Sequence, residues 1–268
     1  MTYQRKTLAN SVSFEGIGLH SAAPVKMTVH PGEEGIAFRY GTDRFAARPE
    51  NVTETTRSTK LGTVCTIEHV MSALAGLEIT DAEVELNAPE VPGLDGSALP
   101  FFDALESAGT TDLGIAELPP LFRRLFVHED PIKIAISDGN GHWRYDYDTG
   151  DRWPNAQSFE FRATSESYRE QLASARTFAF FEEVPKIIAA GLGLGLDENS
   201  VLILGPDGYK NEARFPDEPA RHKLLDLIGD LYLSGVPIRF LNVVAEKSGH
   251  RTNISAASMI RRALENKD

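Results

Sequence analysis

The sequence predicts the same order of structural elements twice along this 268-residue chain. In the first half, apolar residues recur at helical spacing over residues 66–76, with Thr66 as a candidate helix cap. A strand candidate at residues 82–86 and a turn-rich segment at 92–97 follow. A second helix is predicted from Pro100 to about residue 108. The first half therefore has the order helix, strand, Gly-rich turn, helix.

The second half repeats this order. A helix is predicted over residues 220–234, a strand over 238–245 and a turn over 247–250, and a last helix ends near residue 264. The repeat concerns element order rather than residue identity. It predicts two domains of similar build, for which the chain is long enough.

The boundary between the two halves is expected near residue 120, where Leu118-Pro-Pro-Leu121 is a linker candidate. We therefore place one domain at residues 1–120 and the other at 121–268. Short strands are predicted at residues 25–29 and 35–39 of the first domain. In the second domain, a hairpin is predicted to turn at residues 138–141.

Charge and cysteine content exclude several classes of function. The net charge of −12 repels polyanions, so a nucleic-acid partner is not expected. A single cysteine, Cys65, excludes an intramolecular disulfide and a cysteine-based zinc site. Any metal must therefore be bound by His and carboxylate side chains.

The chain also lacks the patterns of a membrane protein. Its first ten residues are polar, unlike a signal peptide, and no run of about 18 apolar residues is present to span a bilayer. We therefore expect a cytoplasmic protein without stable membrane insertion, and we expect it to be a monomer.

The sharpest local pattern is His222-Lys-Leu-Leu-Asp226, in which the preceding acidic residues and Pro219 favour a helix start. Residues four apart lie on one face of a helix, so His222 and Asp226 could bind one cation. A His and an acid at this spacing are, however, more often an ordinary surface hydrogen bond or a weak ion pair. The pair alone leaves both interpretations open.

Glu68-His69 could supply what this pair lacks. Neighbours on a helix point about 100° apart, so one residue could bind a metal while the other acts as a base toward water. A solvated helix start, where the helix dipole favours Glu, explains the same dipeptide.

Other candidates depend on a metal site being present. His250, in a Ser-Gly-His turn, could be a general acid oriented by Asp230. Thr177 could donate a hydrogen bond to an oxyanion, or be a strand-favouring residue only. His20 is equally ambiguous. The segment Gly191-Leu-Gly-Leu-Gly195 does not match a dinucleotide-binding loop and is interpreted as a loop between a helix and a strand.

Five segments together resemble one enzyme family in order and approximate spacing. They are Thr66-Ile-Glu-His-Val-Met-Ser-Ala-Leu-Ala-Gly-Leu77, Glu90-Val-Pro-Gly-Leu-Asp-Gly-Ser97, Ala175-Arg-Thr-Phe178, Arg221-His-Lys-Leu-Leu-Asp-Leu-Ile-Gly-Asp-Leu231 and Ser248-Gly-His250. The opening Gly16-Ile-Gly-Leu-His-Ser21 fits the same pattern. Over nearly its whole length the sequence resembles the UDP-3-O-acyl-N-acetylglucosamine deacetylases, the zinc amidases of lipid A biosynthesis.

This resemblance implies an α+β fold of two similar domains. Each domain would pack helices on a small sheet as a two-layer sandwich, with the active site at the domain interface. It also implies a Zn²⁺ cofactor and an acylated UDP-amino sugar as substrate, hydrolysed to acetate and a free amine. An apolar tunnel for the acyl chain would be formed by an insert at about residues 181–204.

The resemblance assigns an expected role to each matching position. These roles are zinc ligands for His69, His222 and Asp226; base for Glu68; acid for His250 with support from Asp230; an oxyanion contact for Thr177; substrate contacts for Phe178 and Lys223; and an active-site histidine for His20. A His₂Asp site also tolerates iron or cobalt.

Departures from the family pattern concern the substrate rather than the metal. Ala179 stands where the family usually has Gly, Leu196 interrupts a Gly-Leu-Gly-Gly run, and Pro219-Ala220 replaces an aromatic and aliphatic pair. Two alternatives therefore remain. One is a zinc amidase for another N-acylated amino sugar, and the other is a catalytically silent protein that binds a sugar nucleotide.

Overall fold

The first half of the chain builds a five-stranded sheet with two helices. The structure is a computed structural model and describes residues 1–121 and 123–265. In this half the elements are β1 (Thr2–Leu8), β2 (Val12–Ile17), β3 (Pro24–Pro31), β4 (Ile36–Tyr40), β5 (Asp43–Ala46), β6 (Val52–Glu54), β7 (Lys60–Leu61), α1 (Glu68–Gly76), β8 (Ala82–Leu86), α2 (Leu99–Ala108) and β9 (Thr110–Glu117). The sheet order is β2-β3-β8-β4-β5, and β4 and β8 are its parallel pair. Two further pairs, β1 with β9 and β6 with β7, lie outside this sheet.

The second half builds a sheet of the same size. Its elements are β10 (Leu125–Glu129), β11 (Ile132–Asp138), β12 (His142–Asp148), β13 (Ala156–Arg162), α3 (Ser165–Gln171), β14 (Phe178–Phe180), α4 (Val184–Ala189), β15 (Leu202–Leu204), α5 (Glu218–Tyr232), β16 (Leu241–Glu246) and α6 (His250–Glu265). The sheet order is β10-β11-β16-β12-β13, and β12 and β16 are its parallel pair.

The two sheets have one topology. In each, a hairpin comes first, two further strands follow, and the last strand in chain order inserts at the centre. A helix precedes each central strand and another follows it: α1 and α2 around β8, and α5 and α6 around β16. The predicted α+β fold of two similar domains is confirmed. Residues 118–121 lie between β9 and β10, and the limits 1–120 and 121–268 stay a prediction.

Each sheet buries one face, as the alternation of side chains in its strands requires. In β3 the residues Val25, Met27 and Val29 are buried, while their neighbours are more exposed. In the central strand β16 the residues Leu241 and Val243 are buried, while Val244 on the other face is 42% exposed. The buried faces lie against the helices, so the helical layers of both domains occupy the middle of the molecule.

The two domains meet through α1 and α5. A Cβ atom added to Gly229 of α5 would lie 2.1 Å from the Glu68 carbonyl oxygen, closer than any side chain allows. Glycine at this position therefore permits the two helix backbones to touch. One continuous cluster of buried apolar residues extends through both domains.

An insert interrupts the second domain between α3 and α5. It consists of β14, α4 and β15, with β14 and β15 paired in parallel. Residues 191–195 connect α4 to β15, as the interpretation of the Gly-rich segment as a loop predicted. This insert occupies the region predicted to form the acyl-chain tunnel.

Two local predictions were wrong in their limits. Residues Ile238–Phe240, predicted as strand, form a 3-10 turn closed by a hydrogen bond from Phe240 N–H to the Pro237 carbonyl at 3.0 Å. His250, predicted in a turn, is the first residue of α6. None of the described helices is both long enough and apolar enough to cross a membrane.

Candidate metal centre and active site

The first domain contributes two side chains from the start of α1. Glu68 and His69 are the first two residues of that helix, and both are buried. Thr66 does not cap the helix as predicted, because Ile67 occupies the cap position. Instead Thr66 has a φ of 61° and its hydroxyl donates to Glu90 Oε1 at 3.3 Å. The helix start thus presents Glu68 and His69 to the domain interface without a side-chain cap.

The second domain contributes three side chains from one face of α5. His222, Asp226 and Asp230 are four residues apart, so they lie on successive turns of that face. Asp226 Oδ1 lies 3.5 Å from His222 Nε2 and 3.5 Å from His69 Nε2. The donor atoms of the three predicted metal ligands lie within 4.8 Å of one another. The fold therefore brings them together across the domain interface.

These three residues fit a divalent cation. His222 Nδ1–H donates to the Ala175 carbonyl at 3.1 Å, which leaves the lone pair of Nε2 free for a metal. Burial lowers the pKa of His222 to about 3, so the ring is neutral at pH 7. Among the described residues, none donates a hydrogen bond to the buried Asp226 Oδ1. A buried carboxylate oxygen without a partner is costly, and a cation would satisfy it.

His250 lies beside the three candidate ligands with a carboxylate behind it. Its Nδ1–H donates to Asp230 Oδ2 at 2.9 Å, while Nε2 lies 3.9 Å from Glu68 Oε1 and 4.0 Å from Asp226 Oδ2. Burial by itself would lower the pKa of His250, but the nearby carboxylates of Asp230 and Glu68 raise it to about 9. The ring is therefore in the doubly protonated, positively charged form at pH 7, and its Nε2–H lies on the side of Glu68 and Asp226.

Glu68 is oriented by a backbone hydrogen bond. Thr59 N–H donates to Oε2 at 3.0 Å, and Oε1 is the oxygen near His250. Burial raises the pKa of Glu68, and the imidazoles of His250 and His69 offset part of that effect. A fixed carboxylate that is more basic than usual is suited to accept a proton.

The predicted site residues surround one cavity of about 220 Å³. Its lining includes nine of them: His20, Glu68, His69, Thr177, Phe178, His222, Lys223, Asp226 and His250. The tenth, Asp230, contacts His250 from outside this lining. The rest of the wall is mainly apolar and comes largely from the insert, with Leu19, Ala179, Phe180, Ile187, Leu192, Leu196 and Val201.

A buried ion pair fixes the segment that carries Thr177 and Phe178. Arg176 Nε donates to Glu218 Oε1 at 2.9 Å, and neither side chain is more than 5% exposed. Glu218 is the first residue of α5, so the pair ties this segment to the helix of His222. The Phe178 and His222 rings meet edge to face with centroids 6.0 Å apart.

Lys223 lines the cavity, and its ammonium group is paired within the site. Nζ donates to Asp226 Oδ2 at 2.8 Å and lies 5.8 Å from the centre of the Phe178 ring. Burial would lower the pKa of Lys223, but the attraction of Asp226 outweighs it and the pKa is raised. The cation balances the charge of a candidate metal ligand, and the predicted contact of Lys223 with substrate stays a prediction.

The insert closes the cavity against the first domain. Gly193 N–H donates to His20 Nδ1 at 3.2 Å, and Gly195 N–H donates to the Leu19 carbonyl at 3.1 Å. Because Nδ1 accepts, the neutral ring carries its proton on Nε2, and burial lowers the pKa of His20 and so favours that neutral form. This Nε2 is buried without a partner among the described residues. His20 itself lines the cavity.

Sequence reasoning missed two residues that contact Asp230. Thr59 Oγ1 donates to Asp230 Oδ1 at 2.5 Å, and Asn253 Nδ2 donates to Asp230 Oδ2 at 3.0 Å. Asn253 follows His250 by three residues on α6, a spacing that places both on one side of a helix and could have identified it. Thr59 lies in a loop with no periodic pattern, so the sequence held no signal for it.

Known proteins are similar to this chain over most of its length. A protein-family model described as UDP-3-O-acyl N-acetylglycosamine deacetylase matches residues 5–262. The chain is 38% identical to UDP-3-O-acyl-N-acetylglucosamine deacetylase of Anaeromyxobacter dehalogenans strain 2CP-C, covering 94% of this chain and 85% of the relative. It is 36% identical to the enzyme of that name from Neisseria gonorrhoeae strain ATCC 700825 / FA 1090, and the match covers 93% of this chain and 87% of the relative. The chain belongs to the UDP-3-O-acyl-N-acetylglucosamine deacetylase family.

Proposed function

We propose that this protein removes the N-acetyl group of UDP-3-O-acyl-N-acetylglucosamine in lipid A biosynthesis. Water would be added across the amide bond to give acetate and a free 2-amine. The observation that carries the proposal is the convergence of His69, His222 and Asp226 beside Glu68 and His250 at one cavity. Family membership supplies the substrate, because the relatives are named for it.

We infer that His69, His222 and Asp226 hold zinc. Two imidazoles and one carboxylate are a common ligand set for catalytic zinc, which keeps a further coordination position open. When bound there, zinc supplies Lewis acidity that polarises a carbonyl group and makes water a stronger acid. Iron and cobalt suit the same ligands, so the metal present in the cell is decided by supply as well as by the site.

Glu68 is the proposed general base. Its Oε2 is fixed by the Thr59 N–H, so Oε1 is the oxygen free to take the proton of the attacking water. The carboxylate is buried, and burial raises its pKa, which strengthens it as a proton acceptor.

His250 is the proposed general acid. Asp230 holds Nδ1–H, so the proton available for transfer is on Nε2, 3.9 Å from Glu68 Oε1. This proton would go to the nitrogen of the departing amine as the C–N bond breaks. Asp230 keeps the ring in one orientation and stabilises its positive charge.

Four other residues would bind substrate or stabilise charge. The Thr177 hydroxyl and the His20 Nε2–H are donors at the cavity that could hold the developing oxyanion or a sugar hydroxyl. The Phe178 ring would contact the sugar. Lys223 would keep Asp226 ionised and contribute positive charge near an anionic substrate.

One alternative remains favoured by a specific observation. Ala179 and Leu196, where the sequence departs from the family pattern, both line the cavity. The same hydrolysis could then serve another N-acylated amino sugar. The expected cytoplasmic location and monomeric state stay predictions.

The test is an amine-release assay joined to metal analysis of the purified protein. We expect zinc-dependent release of acetate from the 3-O-acylated UDP sugar, and much slower release from UDP-N-acetylglucosamine without the acyl chain. Equal rates for both substrates would favour the alternative sugar. Zinc-loaded protein that binds the acylated sugar but leaves it intact would instead support a silent binding protein.

A further inference from the structure

Thr59 uses three of its polar atoms inside the site. It lies in the loop before β7 and is fully buried. Its N–H donates to Glu68 Oε2 at 3.0 Å, and its carbonyl accepts from Ile67 N–H, at the start of α1, at 3.3 Å. Its hydroxyl donates to Asp230 Oδ1 at 2.5 Å. One residue therefore contacts the proposed base, the helix that carries it and the carboxylate behind the proposed acid.

Among the residues that the structure describes, the Thr59 hydroxyl is the only donor to Asp230 Oδ1. Within the described ranges, Asp230 Oδ2 accepts from His250 and from Asn253, both on α6, while Oδ1 accepts from Thr59 alone. A carboxylate held at one oxygen can still rotate, whereas one held at both oxygens is fixed. The Thr59 Oγ1 also lies 3.2 Å from His250 Nδ1, so it faces the ring nitrogen that Asp230 binds.

These contacts cross the domain interface. Glu68 belongs to the first domain, and Asp230 and His250 belong to the second. Their relative position decides the 3.9 Å separation between Glu68 Oε1 and His250 Nε2. Packing of α1 against α5 brings the helices together, but it does not fix the rotation of either side chain. Thr59 supplies that restraint, because its N–H and its hydroxyl act on both domains from one rigid residue.

We propose that Thr59 is a positioning residue that sets the geometry between Glu68 and His250 by bonding to Glu68 and Asp230 at once. This rests on the proposed function for the roles of Glu68 and His250. Thr59 itself does not touch substrate; it acts through its two partners. Loss of the hydroxyl would leave Asp230 Oδ1 buried without a donor, and a supporting hydrogen bond of this kind is worth about 10- to 100-fold in activity.

The test compares Thr59→Val, which keeps the shape and the backbone N–H but removes the hydroxyl, with Thr59→Ser, which keeps the hydroxyl and the backbone N–H but removes the methyl group. With zinc loaded, we expect Thr59→Val to lower kcat by about 10- to 100-fold with KM and zinc content little changed. We expect Thr59→Ser to recover most of that loss. Thr7→Val is the matched control, because it removes another buried hydroxyl of the first domain, one that accepts from Gly32 N–H at 2.8 Å.

A double-mutant cycle checks that Thr59 acts through Asp230. In an Asp230→Asn background, we expect Thr59→Val to cost less than about 3-fold in kcat, because coupled residues do not show additive effects. A full loss in that background would overturn the proposal, and so would unchanged kcat in Thr59→Val. An equal loss in Thr59→Ser and Thr59→Val would overturn it too, because Ser keeps the hydroxyl group.

A readout without turnover separates this inference from the proposed function. The proton resonance of His250 Nδ1–H, observed in ¹⁵N-histidine-labelled zinc protein, reports the hydrogen bond to Asp230. We expect it to move in Thr59→Val and to stay in place in Thr59→Ser and Thr7→Val. If the wild-type protein released no amine, the proposed function would fail while this resonance still decided the role of Thr59. A resonance identical in all four proteins would reject that role.

Discussion

In the first domain the helix before the central strand is α1, with nine residues, and in the second it is α5, with 15 residues. The two helices occupy the same place in one topology, and they touch at Gly229. From α1 the site takes Glu68 and His69, both in the first turn. From α5 it takes residues on three successive turns, which a longer helix can provide along one face.

The turns after the two central strands differ as well. In the second domain this turn leads into α6, whose first residue is His250. In the first domain it contains Gly96, with a φ of 77°, and a Cβ atom there would lie 1.8 Å from the Ser200 carbonyl oxygen of the insert. One turn therefore leads into the proposed general acid, His250, and the other contacts the insert. The repeated topology fixes the positions from which side chains can reach the site. The residues at those positions decide what each domain contributes.

The largest expected effect concerns the proposed zinc ligands, which come from both domains. His69→Ala and His222→Ala each remove one of the three proposed ligands, one from each domain. We expect both to lose zinc and to lower kcat/KM by at least about 10³-fold, because the bound metal would supply the Lewis acidity for the reaction. Zinc per chain after gel filtration measures this, and His30→Ala, at a half-exposed histidine, is the control. Full zinc in either variant would place the metal within a single domain.

The next effect separates chemistry from metal binding. We expect Glu68→Gln in the first domain and His250→Gln in the second to lower kcat by about 10²- to 10⁴-fold, the usual contribution of a general base or acid. Zinc content should stay near that of the wild type, because neither residue is a proposed ligand. Steady-state kinetics with metal analysis provides the measurement. Retained turnover in Glu68→Gln would remove the base assignment.

The packing of α1 against α5 should be weakened by one methyl group added at Gly229. Gly229→Ala places a Cβ atom 2.1 Å from the Glu68 carbonyl, so α1 and α5 must separate. We expect a loss of about 1–3 kcal/mol in the free energy of unfolding, measured with urea, together with reduced kcat. Gly208→Ala is the matched control, because nothing lies within 4 Å of its Cβ position. Equal stability of the two variants would show that the helix contact is loose.

The smallest expected effect is on stability, and it concerns the residue that precedes each central strand. Asp81 stands just before β8, whereas Phe240 stands just before β16. Burial would raise the pKa of Asp81, but hydrogen bonds from Arg5, from the Thr80 hydroxyl and from Gly35 N–H lower it below its usual value. The carboxylate therefore stabilises the fold above its unfolded pKa of about 3.9, and this is lost as pH falls through the lower folded pKa.

Asp81→Asn should reveal that pH dependence. We expect the variant to be about 1 kcal/mol less stable than the wild type at pH 7, because Asn keeps one acceptor oxygen. The difference should shrink as the pH falls below about 4, since the carboxyl of the unfolded wild-type chain then binds a proton more readily than that of the folded protein. Urea unfolding at several pH values measures it. A difference independent of pH would show that Asp81 contributes through shape alone.

Much of the fold could be predicted from the sequence because its signals are local. The repeated order of helix, strand, turn and helix follows from periodicity and from Gly and Pro positions, and the strand limits 82–86 agree with β8. Local signals also misled at two places. Thr66 has the chemistry of a cap but adopts a left-handed φ and bonds to Glu90. Residues 238–240 have strand-like composition but turn after Pro237.

The candidate site divides in the same way. By itself the sequence determined that His222, Asp226 and Asp230 share one helix face and that Glu68 and His69 begin another helix, because helix geometry relates residues a few positions apart. Only the tertiary structure decided that these two helices meet and that Thr59 reaches Asp230 from 171 residues away. It also decided that, within the described part of the chain, Asp226 Oδ1 has no hydrogen-bond partner. Contacts between distant parts of a chain depend on how whole domains pack, and no local spacing in this sequence records that packing.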